Sequence, residues 1–366
     1  MKKDIYVNKH EYDNESVYVT IGLNIGMLVD CYLVNGKKEK NRLSFANLFS
    51  KYMKKQSEIP ISVIVDRTVT YISFKSTTNE YLNSLKKVFY TMFEAEIEKS
   101  FFEEIKEKTI EDFGNAYKNA EFRGIYKAFE FSDFNKGYLL KNLVDDIQKI
   151  SFEEFVNSRK LFVVVNNCNI FINGMVDDDK LQMIDEALQN SVESENEKIN
   201  EITFLNVVND PYLRQDGHLV EYSKTENNID VLALEFPKFT NPIAKYIYMD
   251  IESRKINTDD KYVNIDKMDS SIVINHADVK SYKRLFKNIS REEKFNENKY
   301  KAVMLYKGLY NNNPEEFGNK YIEFMFNKVD LFDYIEKLDN IDYEKYCILA
   351  KEIKPIVCEG QIIMRS

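Results

Sequence analysis

The side chains that most often hold a catalytic metal are few in this sequence and far apart. Its three histidines are His10, His218 and His276. No two of them stand four residues apart, the spacing that lets one helix face present two imidazoles to one Zn²⁺. The four cysteines contain no Cys-x-x-Cys pair, which argues against a structural zinc site or a disulfide framework. The pattern therefore predicts that this chain is not by itself a zinc hydrolase.

Two other kinds of catalytic pattern are also missing from the sequence. It contains no Gly-x-Ser-x-Gly nucleophile motif and no glycine-rich phosphate loop ending in Gly-Lys-Ser or Gly-Lys-Thr. The acidic run Asp177, Asp178 and Asp179 lacks the glycine and the bidentate glutamate of a calcium loop. Because this run stands at a predicted helix start, we interpret it as favourable charge at the positive end of the helix dipole.

Length and charge bound the class of protein and its partners. A chain of 366 residues is long enough for two domains. Its net charge of −9 argues against nucleic acid or an anionic membrane as the main partner. No stretch approaches the roughly 18 apolar residues that span a bilayer, and the start of the chain lacks the pattern of a signal peptide. We therefore expect a cytoplasmic protein.

The spacing of apolar residues predicts the elements that position any site. Residues 17–25 alternate between apolar and other types, which is typical of a half-buried strand. A helix over 43–54 follows, with Ser44 as its expected N-cap. Further strands are predicted at 61–65 and 69–74. One face of the predicted helix is apolar and comprises Phe45, Leu48, Phe49, Tyr52 and Met53.

Two sequence echoes indicate that the second half of the chain repeats the first. Residues 150–155 are echoed by 341–346 at an offset of 191. Ile72 and Phe74 are echoed by Ile272 and Ile274 at an offset of 200. Residues 190–201 are almost wholly polar and form the predicted linker. We therefore predict an α+β fold of two duplicated lobes, 1–189 and 202–366, each a mostly antiparallel sheet with helices packed on one face.

This layout resembles the insulinase/pitrilysin family, which includes the mitochondrial-processing-type peptidases. The stretches 150–155 and 170–181 are similar to that family's end-of-lobe pattern, in which a helix leads to a strand ending Gly-Asp-x-Asp and then to another helix. At the level of residues the resemblance covers only these short stretches, and in layout it covers nearly the whole chain. A different duplicated α+β protein is the alternative.

The resemblance implies a metal site that this chain has lost. Active members carry His-x-x-Glu-His on the first helix of the first lobe, and a glutamate downstream is the third zinc ligand. Here those positions fall near residues 45–49, Phe-Ala-Asn-Leu-Phe, and aromatic rings cannot bind zinc. Glu104 and Glu111 stand on the helix that resembles the carrier of the third ligand, and we interpret them as a solvated acidic face. The first lobe is therefore a degenerate metal-site lobe.

The family also contains paired enzymes in which one subunit lacks zinc. In such pairs the resemblance implies that the metal-free subunit supplies an arginine and a tyrosine that grip the substrate, after the first helix of its second lobe. In the family these two residues stand about seven apart. The matching residues here are Arg254 and Tyr262, which are eight apart, so the spacing departs by one residue. Lys255 stands seven from Tyr262 and is the other basic candidate. The alternative for Arg254 and Tyr262 is a surface arginine and a half-buried tyrosine at a strand start.

These observations together predict a non-catalytic subunit of a heterodimeric zinc peptidase. It would help to enclose and position a peptide for a zinc-bearing partner of the same family, with no cofactor of its own. Arg254 and Tyr262 are the predicted substrate-binding residues. The alternatives are a stand-alone peptide-binding or scaffold protein and an enzyme with unrecognised chemistry.

Overall fold

The structure is a computed structural model, and its described residues fall into ranges along the whole chain. These are residues 5–12, 15–27, 31–34, 36–40, 42, 44–66, 68–119, 122–123, 140–176, 182–184, 186, 202–204, 217–223, 229–236, 241–256, 263–266, 271–275, 286–353 and 356–364. Within them, no helix is long and apolar enough to cross a membrane.

The elements alternate along the chain much as the apolar spacing predicts. The strands are β1 (Ile5–Asn8), β2 (Ser16–Leu23), β3 (Cys31–Val34), β4 (Lys37–Lys40), β5 (Ser62–Val65), β6 (Thr70–Thr77), β7 (Cys168–Asn173), β8 (Ile202–Phe204), β9 (Gly217–Ser223), β10 (Ile229–Glu235), β11 (Val263–Asp266), β12 (Ser271–Asn275) and β13 (Ile356–Met364). The helices are α1 (Phe45–Gln56), α2 (Tyr81–Phe89), α3 (Lys99–Lys118), α4 (Leu140–Lys149), α5 (Phe152–Phe162), α6 (Pro242–Glu252), α7 (Glu292–Asn312), α8 (Pro314–Phe326), α9 (Leu331–Asn340) and α10 (Tyr343–Lys351).

The chain divides into two compact units, and neither is one continuous stretch. Unit 1 comprises Met1–Glu111, Val144–Leu205 and Leu309–Phe326, and unit 2 comprises Asp112–Leu143, Asn206–Gly308 and Asn327–Ser366. Helix α8 therefore belongs to unit 1, although it stands in the second half of the sequence. The predicted linker, residues 190–201, lies outside the described residues, so the predicted boundaries stay predictions.

Each unit contains a five-stranded sheet, and the two sheets have the same topology. In unit 1 the order is β1-β7-β2-β6-β5, with β1 parallel to β7 and the other neighbours antiparallel. In unit 2 the order is β9-β13-β10-β12-β11, with β9 parallel to β13 and the other neighbours antiparallel. Strands β4, β3 and β8 form a third sheet. The predicted α+β fold with duplicated, mostly antiparallel sheets is confirmed.

In unit 1, a lysine and three phenylalanines link helices α3, α4 and α5. Lys106 of α3 donates a hydrogen bond to the carbonyl oxygen of Ile150, just past α4, at 2.8 Å. Its ammonium lies 5.8 Å from the ring centroid of Phe102. The Phe102 ring in turn packs on Phe152 and Phe155, with centroid distances of 5.7 and 5.2 Å.

In unit 2, the same arrangement links α7, α9 and α10. Lys299 donates to the carbonyl oxygen of Ile341 at 3.1 Å, and its ammonium lies 5.6 Å from the ring centroid of Phe295. The Phe295 ring packs on Tyr343 and Tyr346, with centroid distances of 5.5 and 4.8 Å. The echo between residues 150–155 and 341–346 is therefore also a repeat of side-chain contacts. The two aromatic residues of α10 are tyrosines, whereas those of α5 are phenylalanines.

Strand β2 is buried on both faces. Val19 and Ile21 point into the core of unit 1, as the alternating pattern predicts. Thr20 and Gly22 point to the other face, where helix α8 covers them. The expected half-buried strand is therefore buried except at Tyr18, because a helix from the second half of the sequence packs on the face that was expected to meet solvent.

Close approach of α8 to β2 depends on two glycines. A Cβ added at Gly22 would lie 2.1 Å from Cγ2 of Ile322, and one added at Gly318 would lie 2.2 Å from Oγ1 of Thr20. We expect Gly22→Ala to lower the free energy of unfolding by about 1–3 kcal/mol, the usual cost of overpacking a dense core. Urea titration of the purified variant measures this change.

The matched control for that experiment is Gly114→Ala on helix α3. A Cβ at Gly114 would meet nothing within 4 Å, so the change should raise stability by up to about 1 kcal/mol through helix propensity. A Gly22→Ala variant as stable as the wild type would show that α8 does not pack on β2 as described.

Candidate functional site

The first turn of α1, where the metal motif would fall, is packed with aromatic rings. Phe45 and Phe49 are 0% and 1% exposed, and their ring centroids lie 5.8 Å apart. The Phe45 ring also packs on Phe155 at 5.5 Å. Leu48, between them, is fully buried. These side chains carry no lone pair that could bind Zn²⁺, so the residues present do not fit a zinc ion.

The start of α1 is held by two carboxylates of neighbouring helices. The backbone N–H and the hydroxyl of Ser44 both donate to Oδ2 of Asp146, at 3.0 and 2.9 Å. Arg42 pairs with Asp146 at 3.3 Å and with Glu154 at 2.8 Å. Ser44 stands at the predicted N-cap position, but its side chain makes no cap bond to the helix, because its backbone is helical rather than extended (φ −70°, ψ −17°).

The acidic residues of α3 face solvent. Glu104 and Glu111 are both exposed, and the Glu104 carboxylate forms an ion pair with Lys55 of α1. An exposed pair of this kind contributes little to stability. Across the described ranges, no three side chains of the types that bind metals form a group able to hold an ion.

The predicted substrate-binding segment begins in a short 3₁₀ turn, Ser253–Lys255, which directly follows α6. Arg254 is half-buried, and its Nε is buried with no hydrogen-bond partner among the residues described. The next strand, β11, begins at Val263, so Arg254 stands between a helix and a strand as predicted. Tyr262 lies outside the described residues, and its role stays a prediction.

Lys255, the other basic candidate, is already engaged within unit 2. Its ammonium forms an ion pair with Glu252 and donates to the carbonyl oxygen of Asn288 at 2.6 Å. The side chain is 8% exposed. The Lys255 ammonium therefore already has two partners, whereas the buried Nε of Arg254 has none among the residues described.

A buried carboxylate, Glu252, stands directly before this turn. It is fully buried, and its Oε1 accepts hydrogen bonds from the backbone N–H of Ser290 at 3.0 Å and from the hydroxyl of Tyr346. Its Oε2 faces the Lys255 ammonium. Burial raises the pKa of the Tyr346 hydroxyl, and the neighbouring carboxylate raises it further. The arrangement keeps a proton on Tyr346.

A second buried carboxylate lies on the same helix. Asp250 is 4% exposed, and its Oδ2 accepts hydrogen bonds from the hydroxyls of Tyr306, at 2.9 Å, and Tyr334. Burial, followed by the charge of Asp250, raises the pKa of Tyr334. The last turn of α6 is therefore held by hydroxyl groups from α7, α9 and α10.

Sequence patterns did not single out Glu252 or Tyr346 as members of a site. The available signal was the echo itself, in which Tyr343 and Tyr346 replace Phe152 and Phe155. A hydroxyl added at a buried position of a repeat needs a partner, and that partner could have been sought among the acidic residues of the same half.

Comparison with known proteins relates the chain to one fold. No family model matches the sequence, and no curated protein matches it. Among solved structures, the chain is similar to one described as an M16-like peptidase from Alicyclobacillus acidocaldarius, with a TM-score of 0.77, 13% identity and coverage of 99% of this chain and 96% of that one. A protease from Helicobacter pylori gives a TM-score of 0.69 at 12% identity, covering 100% and 98%.

A third neighbour is longer than this chain. The periplasmic protease PqqL from Escherichia coli gives a TM-score of 0.59 at 12% identity, covering 98% of this chain and 44% of that one. Identities this low establish shared architecture and leave residue roles to local geometry. The chain therefore has the duplicated α+β fold of the M16-like, or insulinase/pitrilysin-like, peptidases.

Proposed function

We propose that this chain is a non-catalytic subunit of a heterodimeric M16-like zinc peptidase. It helps to enclose and position a peptide beside the metal of a partner subunit with the same fold. The observation that carries the proposal is the combination of an M16-like fold with buried phenylalanines at positions 45 and 49 of the helix where the zinc motif would stand. The fold is retained while the metal-binding chemistry is absent from that helix.

Arg254 is the proposed contact to the peptide. A guanidinium donates several hydrogen bonds in one plane, which suits a peptide carbonyl or carboxylate. Its Nε is buried without a partner in the described part of the chain, and an unmade hydrogen bond at a buried donor costs about 1–3 kcal/mol. Tyr262 is the proposed second contact, through its hydroxyl.

Purification of the tagged chain from its native cells tests the pairing. We expect mass spectrometry to identify a co-purifying M16-like chain that carries His-x-x-Glu-His. The mixture should cleave peptides, and this chain alone should not. A stable monomer or homodimer with no such companion would overturn the proposal and would favour a stand-alone peptide-binding or scaffold protein.

The isolated chain is expected to hold no stoichiometric zinc and to cleave no peptide. The reason is that phenylalanines stand at positions 45 and 49, where the two histidines of the motif would be, and zinc needs nitrogen, sulfur or oxygen ligands. Elemental analysis of the purified protein and a fluorogenic peptide assay check this. One equivalent of zinc, with proteolysis that a chelator abolishes, would contradict the prediction.

A further inference from the structure

The two repeats differ in a way that concentrates polar groups at the end of α6. Tyr343 and Tyr346 stand where the first repeat has phenylalanines, in an otherwise matching set of contacts. The added hydroxyls both bond to this region. Tyr346 donates to Glu252, and Tyr343 donates to the carbonyl oxygen of Ser290 at 3.1 Å. The backbone N–H of Ser290 then donates to Glu252.

Stability alone does not account for this polar cluster. A buried carboxylate loses its hydration, and replacing a buried ion pair by well-packed apolar groups is often neutral or stabilising. In unit 1 the equivalent helices pack with phenylalanines, Phe152 and Phe155, at the positions of the two tyrosines. The fold therefore does not require Glu252 and its partners, and a role in function explains why a costly group is held there.

The place of Glu252 identifies that role. It is the last residue of α6, and the turn Ser253–Lys255 follows it directly. Its carboxylate is fixed by Tyr346 and Ser290 on one oxygen and faces Lys255 on the other. The turn is closed by a hydrogen bond from the N–H of Ile256 to the carbonyl oxygen of Ser253, at 3.0 Å. The Glu252 carboxylate thus ties Lys255, the last residue of the turn that carries Arg254, to Tyr346 and Ser290.

We propose that Glu252, fixed by Tyr346 and Lys255, is a positioning residue that holds the Arg254 guanidinium in its substrate-binding orientation. The role of Arg254 rests on the function proposed above, whereas the restraint on its turn does not. Glu252 does not touch the peptide in this scheme. It limits the motion of the turn, so that Arg254 reaches the peptide without a large loss of conformational entropy.

Amide hydrogen exchange tests the restraint on the chain alone. Tyr346→Phe installs the residue type of the first repeat and removes only the hydroxyl, so the variant should fold. We expect the amide of Ile256 to exchange about tenfold faster, because one hydrogen bond to a charged group is lost. Glu252→Gln, which also loses the ion pair to Lys255, should change exchange in the same direction.

Tyr334→Phe is the matched control for that measurement. It also removes a buried tyrosine hydroxyl bonded to a carboxylate of α6, but that carboxylate is Asp250. It should leave Ile256 exchange close to that of the wild type. Unchanged Ile256 exchange in both Tyr346→Phe and Glu252→Gln would overturn the proposed restraint, whatever the function of the chain.

A double-mutant cycle tests whether the restraint acts through Arg254. The probe is a set of fluorescein-labelled peptides from a casein digest, with affinity for the purified pair measured by anisotropy. We expect Tyr346→Phe to weaken binding about tenfold, and to have no effect in an Arg254→Ala background. An equal effect in both backgrounds would overturn positioning. Wild-type affinity in Arg254→Ala alone would instead reject the proposed function of Arg254. The exchange rate of the Ile256 amide would then still show whether Glu252 restrains the turn.

Discussion

Arg254→Ala is expected to slow peptide cleavage by the reconstituted pair about 100-fold while the two subunits stay associated. Contacts that strengthen in the transition state are worth about 2.7–4 kcal/mol when one donor is removed. Arg254 is half-buried beside a helix end and has a donor with no partner in the described part of the chain. Steady-state cleavage of a fluorogenic peptide, with the complex checked by size exclusion, measures the effect.

The control for Arg254→Ala is Arg291→Ala. Arg291 is exposed at the start of α7, in the same unit, so its replacement removes the same charge without touching the turn. It should leave cleavage within about twofold of the wild type, because isolated surface substitutions have small effects. Equal rates in the Arg254→Ala variant and the wild-type pair would remove the support for this residue as the peptide contact.

Tyr262→Phe extends the same experiment. If Arg254 and Tyr262 act on one peptide group, replacing both should cost less than the sum of the single effects. Additive losses would show that the two residues act on separate parts of the substrate. Normal cleavage in Tyr262→Phe, with the Arg254 effect intact, would limit the site to the arginine.

Stability is expected to fall steeply as the pH rises above about 10. Burial raises the pKa values of Tyr248, Tyr334 and Tyr346, and nearby carboxylates raise them further. In the unfolded chain each tyrosine ionises near pH 10. The stabilisation is therefore complete below pH 10 and is lost progressively above it, as the unfolded chain releases protons that the folded protein keeps.

The size of this alkaline effect follows from proton linkage. Once the pH is well above 10, each such tyrosine contributes a limiting slope of about 1.4 kcal/mol per pH unit, so these three together approach about 4 kcal/mol per pH unit; at pH 10 about half of that slope is present. Urea unfolding at half-unit steps between pH 9 and about pH 11 measures the slope. Constant stability across that range would contradict the buried tyrosine–carboxylate contacts of unit 2.

Two variants separate the buried tyrosines from other groups that titrate at high pH. Tyr346→Phe should reduce the slope by about 0.7 kcal/mol per pH unit at pH 10, and by about 1.4 kcal/mol per pH unit well above it. Tyr300→Phe removes a tyrosine whose side chain is largely exposed on α7, and it should leave the slope unchanged. A slope that is the same in both variants would assign the alkaline effect to groups other than Tyr346.

Local periodicity was sufficient to predict β2, α1, β5 and β6 of unit 1 and the duplication. Alternating apolar residues predicted strand β2, and apolar residues three and four apart predicted α1, because side-chain direction repeats every two residues in a strand and about every 3.6 in a helix. The first echo falls on equivalent strands of the two sheets, with Ile72 in β6 and Ile272 in β12. The second echo falls on the starts of two helices, residues 150–155 at α5 and residues 341–346 at α10. The phenylalanines at 45 and 49 already ruled out a zinc motif on α1.

Contacts between distant parts of the sequence decided the rest. Helix α8 covers β2 because Gly22 and Gly318 permit close approach, and no local pattern shows that this helix packs on that strand. Arg254 and Lys255 are neighbouring basic residues, and the sequence left open which of them is available. In the structure a carboxylate and a backbone carbonyl engage Lys255, and no sequence pattern indicated those partners. Side-chain spacing determines an element, but the partner of a buried charge depends on which elements pack together.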